Sequence, residues 1–271
     1  MRIDLHIHST ASDGALSPGA VVRAAKAGGL DLIALTDHDT TAGVGEAIAA
    51  AAEGPLVIPA IEISSSHEGR ELHFLGYHID PSHPALRDFA SAARTRREER
   101  MRTMIERLAR LGAPVSLEQV RRVAGTGPLG RPHLARALVE AGHVRTTAEA
   151  FTRFLADHGP VAVPTDLLTP REAIELVHAA GGTPVWAHPP IDVLDRELQR
   201  FQRWGLEGIE CYRPQNTPDI TAALESAARR FGLLRSGGSD WHGEWNGRLG
   251  DFAVESDRVQ TLLDRGARPG G

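Results

Sequence analysis

The first thirteen residues constrain the fold more than any other stretch, because a strand pattern there ends in side chains of the metal-binding type. Apolar and polar residues alternate from residue 3 to residue 8, which is the two-residue period of a β-strand with one buried face. His6 and His8 share one face of this strand and precede a Ser-Thr-Ala-Ser-Asp-Gly turn. Two imidazoles at a strand end suit a divalent ion such as zinc, manganese or iron. Two unrelated surface histidines are the alternative.

Apolar runs of strand length alternate with helical segments through most of the chain. This rhythm predicts an α/β fold with a parallel sheet or barrel. From residue 84 to residue 156 the pattern is helical only, with one long helix over 85–111. We therefore expect a barrel domain made of residues 1–83 and 157–271, with a helical insertion over 84–156. The predicted strands are 3–7, 30–36, 55–63, 71–79, 160–164, 183–187, 208–212 and 233–236.

Nearly every predicted strand ends in a side chain of the kind that binds metals. In parallel barrels the catalytic groups come from the carboxyl ends of several strands, so these side chains converge if the strands close. Such a set exceeds what one zinc ion takes and suits two or three divalent ions that share carboxylates. Independent polar capping residues are the alternative. The candidate ligands are His6, His8, Asp13, His38, Glu62, His73, His188, Asp240 and His242.

Composition excludes several classes of protein. No apolar run approaches the roughly 20 residues that span a bilayer. A strand begins too early for a secretory signal, so we expect a cytoplasmic protein with no membrane partner. The single cysteine, Cys211, excludes an intramolecular disulfide and fits a reducing compartment. The net charge of −5 argues against nonspecific binding of duplex DNA.

The motifs at the strand ends resemble those of the PHP (polymerase and histidinol phosphatase) family. They read DLHIHST-x2-DG, TDHDT, AIE, ELHFLGY, AHP and GSDWHG, and they extend over nearly the whole chain. The resemblance implies a distorted seven-stranded (β/α)7 TIM-like barrel with a trinuclear centre of Mn, Fe or Zn at its mouth. It implies three ligand sets, with Glu62 bridging the first two: His6, His8, Glu62 and Asp240; Glu62, His73 and His188; and Asp13, His38 and His242.

Three further residues are candidates for binding a substrate phosphate. Arg131 and His133 stand in a Gly-Arg-Pro-His sequence at a predicted helix start, where a guanidinium beside the positive helix end suits a phosphate. The resemblance places this motif at the wall of the cleft, and helix capping alone is the alternative. Arg97 precedes the apolar stripe of the long helix by four residues and can point inward, although a solvated face is the usual role of such arginines.

Two other groups of side chains are candidates for supporting roles. Asp4, Asp37 and Asp39 are candidates for orienting the imidazoles through hydrogen bonds. Tyr212 and Trp241 are candidates for stacking on a base, although packing in the core is the favoured alternative.

The candidate ligands predict phosphoester hydrolysis by an activated water. Divalent ions lower the pKa of a bound water and neutralise phosphoryl charge, so we expect a metal-bound hydroxide held by Glu62, Asp240 and His188 as the nucleophile. The resemblance is to small stand-alone members that remove the 3′-phosphate of nucleoside 3′,5′-bisphosphates, which implies a small phosphorylated nucleotide as substrate. The alternatives are a 5′-3′ exonuclease on short oligonucleotides, a histidinol-phosphate phosphatase and a non-catalytic metal-binding module.

Overall fold

Eight β-strands form one sheet that curls into a nearly closed barrel in the computed structural model, which describes residues 1–125, 127–156, 158–163 and 167–266. The strands are β1 Arg2–Ile7, β2 Leu32–Leu35, β3 Leu56–His67, β4 Arg70–Tyr77, β5 Thr183–Trp186, β6 Gly208–Tyr212, β7 Leu234–Gly237 and β8 Val254–Glu255. Their order in space is β7-β6-β5-β4-β3-β2-β1-β8.

Two features distort this barrel from the regular parallel form. Strands β3 and β4 form an antiparallel hairpin, and β4 also pairs antiparallel with β5. The gap between β7 and β1 is bridged by the segment after β7, where His8 N donates to the carbonyl oxygen of Trp241 at 2.9 Å. The amide of Trp241 in turn donates to the carbonyl oxygen of His6 at 3.3 Å. The carboxyl ends of β1 and β7 therefore meet.

Ten α-helices accompany the strands within the described residues. Several begin at a polar cap followed by proline: the hydroxyl of Ser17, for example, accepts a hydrogen bond from Ala20 N at 3.3 Å. The helices are α1 Pro18–Ala27, α2 Val44–Ala50, α3 Pro84–Arg110, α4 Leu117–Ala124, α5 Arg131–Glu140, α6 Thr147–Ala150, α7 Pro170–Ala179, α8 Leu194–Arg203, α9 Pro218–Phe231 and α10 Ser256–Leu263. Short 3₁₀ turns cover Ala51–Glu53 and Glu244–Asn246, and a π-helical turn covers Phe151–Leu155.

The helices of the 84–156 region pack around an apolar cluster of their own. Met101, Met104 and Leu108 form the buried stripe of α3 that the sequence indicates, and Leu134 and Leu138 of α5 pack in the same cluster. The barrel core is a separate cluster. This separation supports an inserted helical subdomain, whose boundaries at residues 84 and 156 stay a prediction.

The predicted α/β fold with a distorted TIM-like barrel is confirmed, and seven of the predicted strands correspond to β1–β7. The strand predicted over 160–164 is wrong in its described part, because the carbonyl oxygens of Ala162 and Val163 accept hydrogen bonds from Arg107 and Arg100 rather than from a strand. Residue 164 lies outside the described residues. The two-residue strand β8 was not predicted, because such a short run carries no periodic pattern. None of the described helices is both long and apolar enough to cross a membrane.

Candidate metal centre

All nine predicted metal ligands lie at one end of the barrel. His6 and His8 belong to β1 and its carboxyl end, and the other ligands lie on neighbouring strands or on the loops that follow them. His73 reaches the centre differently from the prediction, because β4 runs antiparallel to β3. It lies opposite Ser64, two residues beyond Glu62, instead of at a carboxyl end.

Glu62 is the middle of the cluster. Its Oε2 atom lies 3.2 Å from Nε2 of both His6 and His8, and 3.1 Å from Nδ1 of His38. Its Oε1 atom lies 3.0 Å from Nδ1 of His73 and 3.2 Å from Nε2 of His188. The Glu62 side chain is only 1% exposed. Both carboxylate oxygens therefore face imidazoles, which is the arrangement expected of a bridging ligand.

The side chains fall into overlapping groups whose ligand atoms lie within 4.8 Å of one another. One group is identical to the first ligand set that the family resemblance implies. A second joins His38 to Glu62 and His73, and the third adds His8 to the implied set. The three groups are His6, His8, Glu62 and Asp240; His38, Glu62 and His73; and His8, Asp13, His38 and His242.

A further group, on the flank of the barrel, differs from these three in its neighbours. His67, Glu68 and Glu197 also bring ligand atoms together, but Arg196 and Arg200 already bind their carboxylates. Two guanidiniums supply the positive charge that an ion would otherwise bring. This group is therefore a network of ion pairs.

The nine ligands fit divalent cations, because several of their buried atoms have no hydrogen-bond partner. Leaving a buried polar atom unsatisfied costs roughly 1–3 kcal/mol, so a cluster of such atoms at one point needs an explanation. A cation at the centre would satisfy nitrogen lone pairs and carboxylate oxygens together. In the described part of the chain these atoms are Nε2 of His6, both ring nitrogens of His8, Nδ1 of His38, Oε2 of Glu62 and Nδ1 of His73.

The electrostatics of the metal-free cluster follow from burial and from opposite charge. Burial lowers the pKa of His8, but Asp240 and Glu62 outweigh this effect and raise the pKa to about 10. Burial is likewise outweighed at His73, where Glu62 and Glu71 raise the pKa to about 10. Burial dominates at His38 and lowers its pKa to about 4, which leaves that imidazole neutral. Protons on His8 and His73 therefore supply the positive charge of the cluster when no cation is bound.

Backbone conformation marks two of the ligands. His188 and Asp240 have φ angles of 30° and 55°, a left-handed region that residues with a side chain rarely adopt. Such strain persists only where the surrounding structure imposes it, and it clusters at functional sites.

Glu210 supports two ligands, and the sequence analysis missed it. Its Oε1 atom accepts a hydrogen bond from Nδ1 of His6 at 2.8 Å, and its Oε2 atom accepts one from the backbone amide of His188 at 2.8 Å. Glu210 is fully buried on β6. A glutamate inside the apolar run Gly-Ile-Glu-Cys-Tyr was the signal, because a buried carboxylate requires partners.

Two other supporting residues were also missed. Glu71 Oε1 lies 3.2 Å from Nε2 of His73, on the ring side away from Glu62. Arg213 donates to Oδ2 of Asp240 at 2.8 Å, while Oδ1 of Asp240 faces His6 and His8. These contacts orient the rings and the carboxylate.

The aspartates predicted to orient imidazoles bind loops instead. Asp4 accepts hydrogen bonds from the amide and hydroxyl of Ser239, and so holds the loop that leads to Asp240. Asp37 accepts from the hydroxyl groups of Ser9 and Ser12, beside the predicted ligand Asp13. Their contribution to ligand geometry therefore passes through the backbone.

Asp39 and Arg97 pair with each other. Two nitrogens of the Arg97 guanidinium donate to Oδ2 of Asp39, and one of them also donates to the hydroxyl of Ser64 at 3.2 Å. This ion pair joins α3 to the barrel. In this pair Asp39 neutralises the positive charge of Arg97, which was predicted to bind a phosphate.

Arg131 and His133 lie at the start of α5, as predicted. Arg131 lines a groove of about 760 Å³ together with Arg70, Arg100 and Glu71, and Glu71 contacts the ligand His73. His133 is 3% exposed, and its Nδ1 atom accepts a hydrogen bond from the amide of Gly130. Burial lowers the pKa of His133 to about 4, so this imidazole is neutral near pH 7.

Tyr212 and Trp241 pack in the core and do not offer a ring to a base. Tyr212 is 5% exposed and Trp241 is 2% exposed. The Trp241 indole nitrogen donates to the carbonyl oxygen of Gly247, and the Tyr212 hydroxyl donates to Glu225. Both rings are packing residues, which was the stated alternative.

Substitution of Glu210 by glutamine should weaken metal binding about 10- to 100-fold, the usual effect of losing a partner that orients metal ligands. A glutamine offers one acceptor oxygen, whereas the His6 ring and the His188 amide both donate to this side chain. Competition with a fluorescent chelator measures the affinity. Glu225→Gln is the control, because Glu225 accepts one hydrogen bond from Tyr212 outside the cluster. Equal affinities for wild type and Glu210→Gln would contradict the role.

Binding of Mn²⁺ at pH 8 should release protons, because an imidazole must lose its proton to bind a metal through that nitrogen. The raised pKa values of His8 and His73, about 10 in the metal-free protein, mean that both rings are protonated at pH 8. Metal affinity should therefore increase as the pH rises towards 10. Isothermal titration calorimetry in two buffers of different ionisation enthalpy counts the protons. Binding without proton release would show that these rings are already neutral.

Comparison with known proteins agrees with this geometry. The PHP domain family matches residues 4–114. The 5′-3′ exoribonuclease Rnm of Salmonella typhimurium is 37% identical over 247 residues, which cover 88% of this chain and 84% of that protein. A 3′,5′-nucleoside bisphosphate phosphatase of Chromobacterium violaceum is 35% identical over 253 residues, covering 91% and 89% respectively.

A solved structure shows the same fold over nearly the full length. It is that of a metal-dependent phosphoesterase from Bifidobacterium adolescentis, with 34% identity and a TM-score of 0.88, covering 97% of this chain and 96% of the other. Identity at this level over most of both chains establishes common membership. The chain therefore belongs to the PHP family and is a metal-dependent phosphoesterase.

Proposed function

We propose that this phosphoesterase removes the 3′-phosphate from nucleoside 3′,5′-bisphosphates. The observation that carries the proposal is that the ligand cluster adjoins a cationic groove through one residue, Glu71. A substrate with two phosphates can place one at the ligands and the other in the groove. The Chromobacterium violaceum relative, named for this activity, supports the assignment.

The proposed centre holds two or three divalent ions of manganese, iron or zinc. When bound, such ions neutralise phosphoryl charge and lower the pKa of a coordinated water to give the nucleophile. Glu62, Asp240 and His188 are the side chains proposed to hold the ions that would activate this water. The nine ligands proposed to hold the ions are His6, His8, Asp13, His38, Glu62, His73, His188, Asp240 and His242.

The chain's own contribution is to keep these ligands in place before substrate arrives. Glu210 fixes the ring of His6 and the backbone of His188, and Arg213 fixes one oxygen of Asp240. The ligands therefore need little rearrangement during the reaction, and this preorganisation is the condition for electrostatic catalysis.

The groove supplies the second phosphate site. Arg131 begins α5, where helix-end amides add positive potential, and Arg70 and Arg100 line the same groove. Its volume of about 760 Å³ lies in the range of pockets that enclose small ligands. His133 is proposed as a neutral hydrogen-bond donor to phosphate. Arg97 is the third proposed contact, and its guanidinium also donates to Asp39.

A second candidate activity is 5′-3′ exonuclease action on short oligonucleotides. The 37% identical Salmonella relative is named an exoribonuclease, and an arginine-lined groove beside the centre suits a phosphodiester backbone as well as a single phosphate.

The cytoplasmic location and the absence of duplex DNA binding stay predictions.

One assay separates these activities. The purified protein with Mn²⁺ is offered adenosine 3′,5′-bisphosphate, a short 5′-phosphorylated RNA and histidinol phosphate, and released phosphate and mononucleotide are measured. We expect phosphate release from the bisphosphate as the fastest reaction. Faster release of mononucleotides from RNA would favour the exonuclease, and turnover of histidinol phosphate alone would overturn the proposal.

In the same assay, Arg131→Ala should raise KM for the bisphosphate about tenfold or more, because a charge-assisted hydrogen bond contributes roughly 1.5–3 kcal/mol. Metal content should stay at the wild-type level. Arg171→Ala is the control, since Arg171 is an exposed arginine that pairs with Glu175 on α7. An unchanged KM would remove Arg131 from the phosphate site.

A further inference from the structure

Trp245 is a large exposed aromatic beside the metal centre. It exposes 66% of its surface, on the short turn that follows the ligand His242. Burial of an indole is strongly favourable, so exposure of one in a fixed loop calls for an explanation. Trp245 follows His242 by three positions, which limits the distance between their Cα atoms to about 11 Å.

The loop that carries Trp245 is held by hydrogen bonds on both sides. The amide of His242 donates to Oδ1 of Asn246 at 3.4 Å, and the His242 carbonyl oxygen accepts from Ala15 N at 2.7 Å. The indole of Trp241 donates to the carbonyl oxygen of Gly247 at 2.8 Å. The turn is therefore tied to the residues that flank the ligands.

Two neighbours fix the Trp245 ring itself. A Cβ atom added to Gly243 would lie 2.4 Å from Cζ3 of the ring, so the indole lies against a backbone that only glycine offers. The second neighbour is Arg136 of α5. Its guanidinium carbon lies 5.5 Å from the centroid of the Trp245 ring, which is a cation–π contact. Arg136 follows the proposed phosphate residue Arg131 by five positions on the same helix.

A groove of about 740 Å³ begins at this ring. Trp245 and Trp241 line it with Ala15 and Leu16, and Arg248 adds a positive charge. Trp241 lies between the predicted ligands Asp240 and His242, and the amide of Ala15 donates to the carbonyl oxygen of His242. Glu244 and Asp251 also line the groove, so its charge is mixed, and the aromatic ring of Trp245 is the part that suits a nucleobase.

We propose that Trp245 is the stacking platform for the nucleobase of the substrate. The inference rests on the proposed function, since it requires a nucleotide at the metal centre. Aromatic stacking accepts any base because every base has a π-face, so the platform would anchor nucleotides with little base preference. Arg136 links the Trp245 ring to α5, the helix that carries the proposed phosphate contacts Arg131 and His133.

Kinetics of Trp245→Ala test this platform. KM for adenosine 3′,5′-bisphosphate should rise about tenfold, the effect of losing one base stack, and Trp245→Phe should restore most of the affinity. KM for the abasic analogue 1-deoxyribose 3,5-bisphosphate should not change. Leu56→Ala is the matched control, because Leu56 is also 66% exposed but starts β3, at the opposite end of the barrel from the ligands.

Tryptophan fluorescence provides a measurement that needs no turnover. Adenosine 3′,5′-bisphosphate should quench wild-type fluorescence, and Trp245→Phe should abolish most of the quenching. The other tryptophans, Trp186, Trp204 and Trp241, remain in that variant as internal controls.

The outcomes separate this inference from the proposed function. If wild type hydrolyses the bisphosphate while Trp245→Ala leaves its KM and the quenching unchanged, the platform is wrong and the function stands. An equal rise in KM for the abasic analogue would show that Trp245 only supports the His242 loop, which also overturns the platform. If wild type hydrolyses no nucleotide, quenching that is lost in Trp245→Phe would still support base binding, and its absence would overturn both.

Discussion

The rest of the structure depends on one buried carboxylate surrounded by imidazoles. Glu62 is almost fully buried, and its two oxygens face His6, His8, His38, His73 and His188 at 3.0–3.2 Å. A buried charge is costly unless it is paired, and a set of neutral imidazoles does not pair it. The cluster must therefore contain positive charge, either as protons on the rings or as divalent cations. This requirement links the fold to the chemistry.

The distortions of the barrel serve this cluster. The antiparallel β3–β4 hairpin brings His73 beside Glu62, which a regular parallel strand after a crossover helix would not do. The Trp241 segment closes the barrel against β1, and it carries Asp240 and His242 on either side of a packed indole. The strained backbone at Asp240 is part of this closure.

The sequence was sufficient to predict which side chains converge at the centre and insufficient to predict what holds them there. His6, His8 and Glu62 could be assigned because strand ends are recognisable from local patterns and because parallel strands share one mouth. Glu210 binds a residue 204 positions away, and local patterns do not report such pairs. For the same reason the sequence left stacking open for Trp241: its exposure depends on how the barrel closes, whereas its position between Asp240 and His242 is visible in the sequence.

The predicted metal ligands and the proposed substrate contacts lie on different parts of the chain. All nine predicted ligands lie on the barrel, whereas the proposed phosphate contacts Arg131 and His133 lie on α5 of the helical region. The ion pair between Asp39 and Arg97 joins the two parts next to His38. Under the proposed function, changes on α5 or in the Trp245 turn would alter what is bound without removing any predicted ligand. This division is consistent with relatives of 35–37% identity that are named for an exoribonuclease and for a bisphosphate phosphatase.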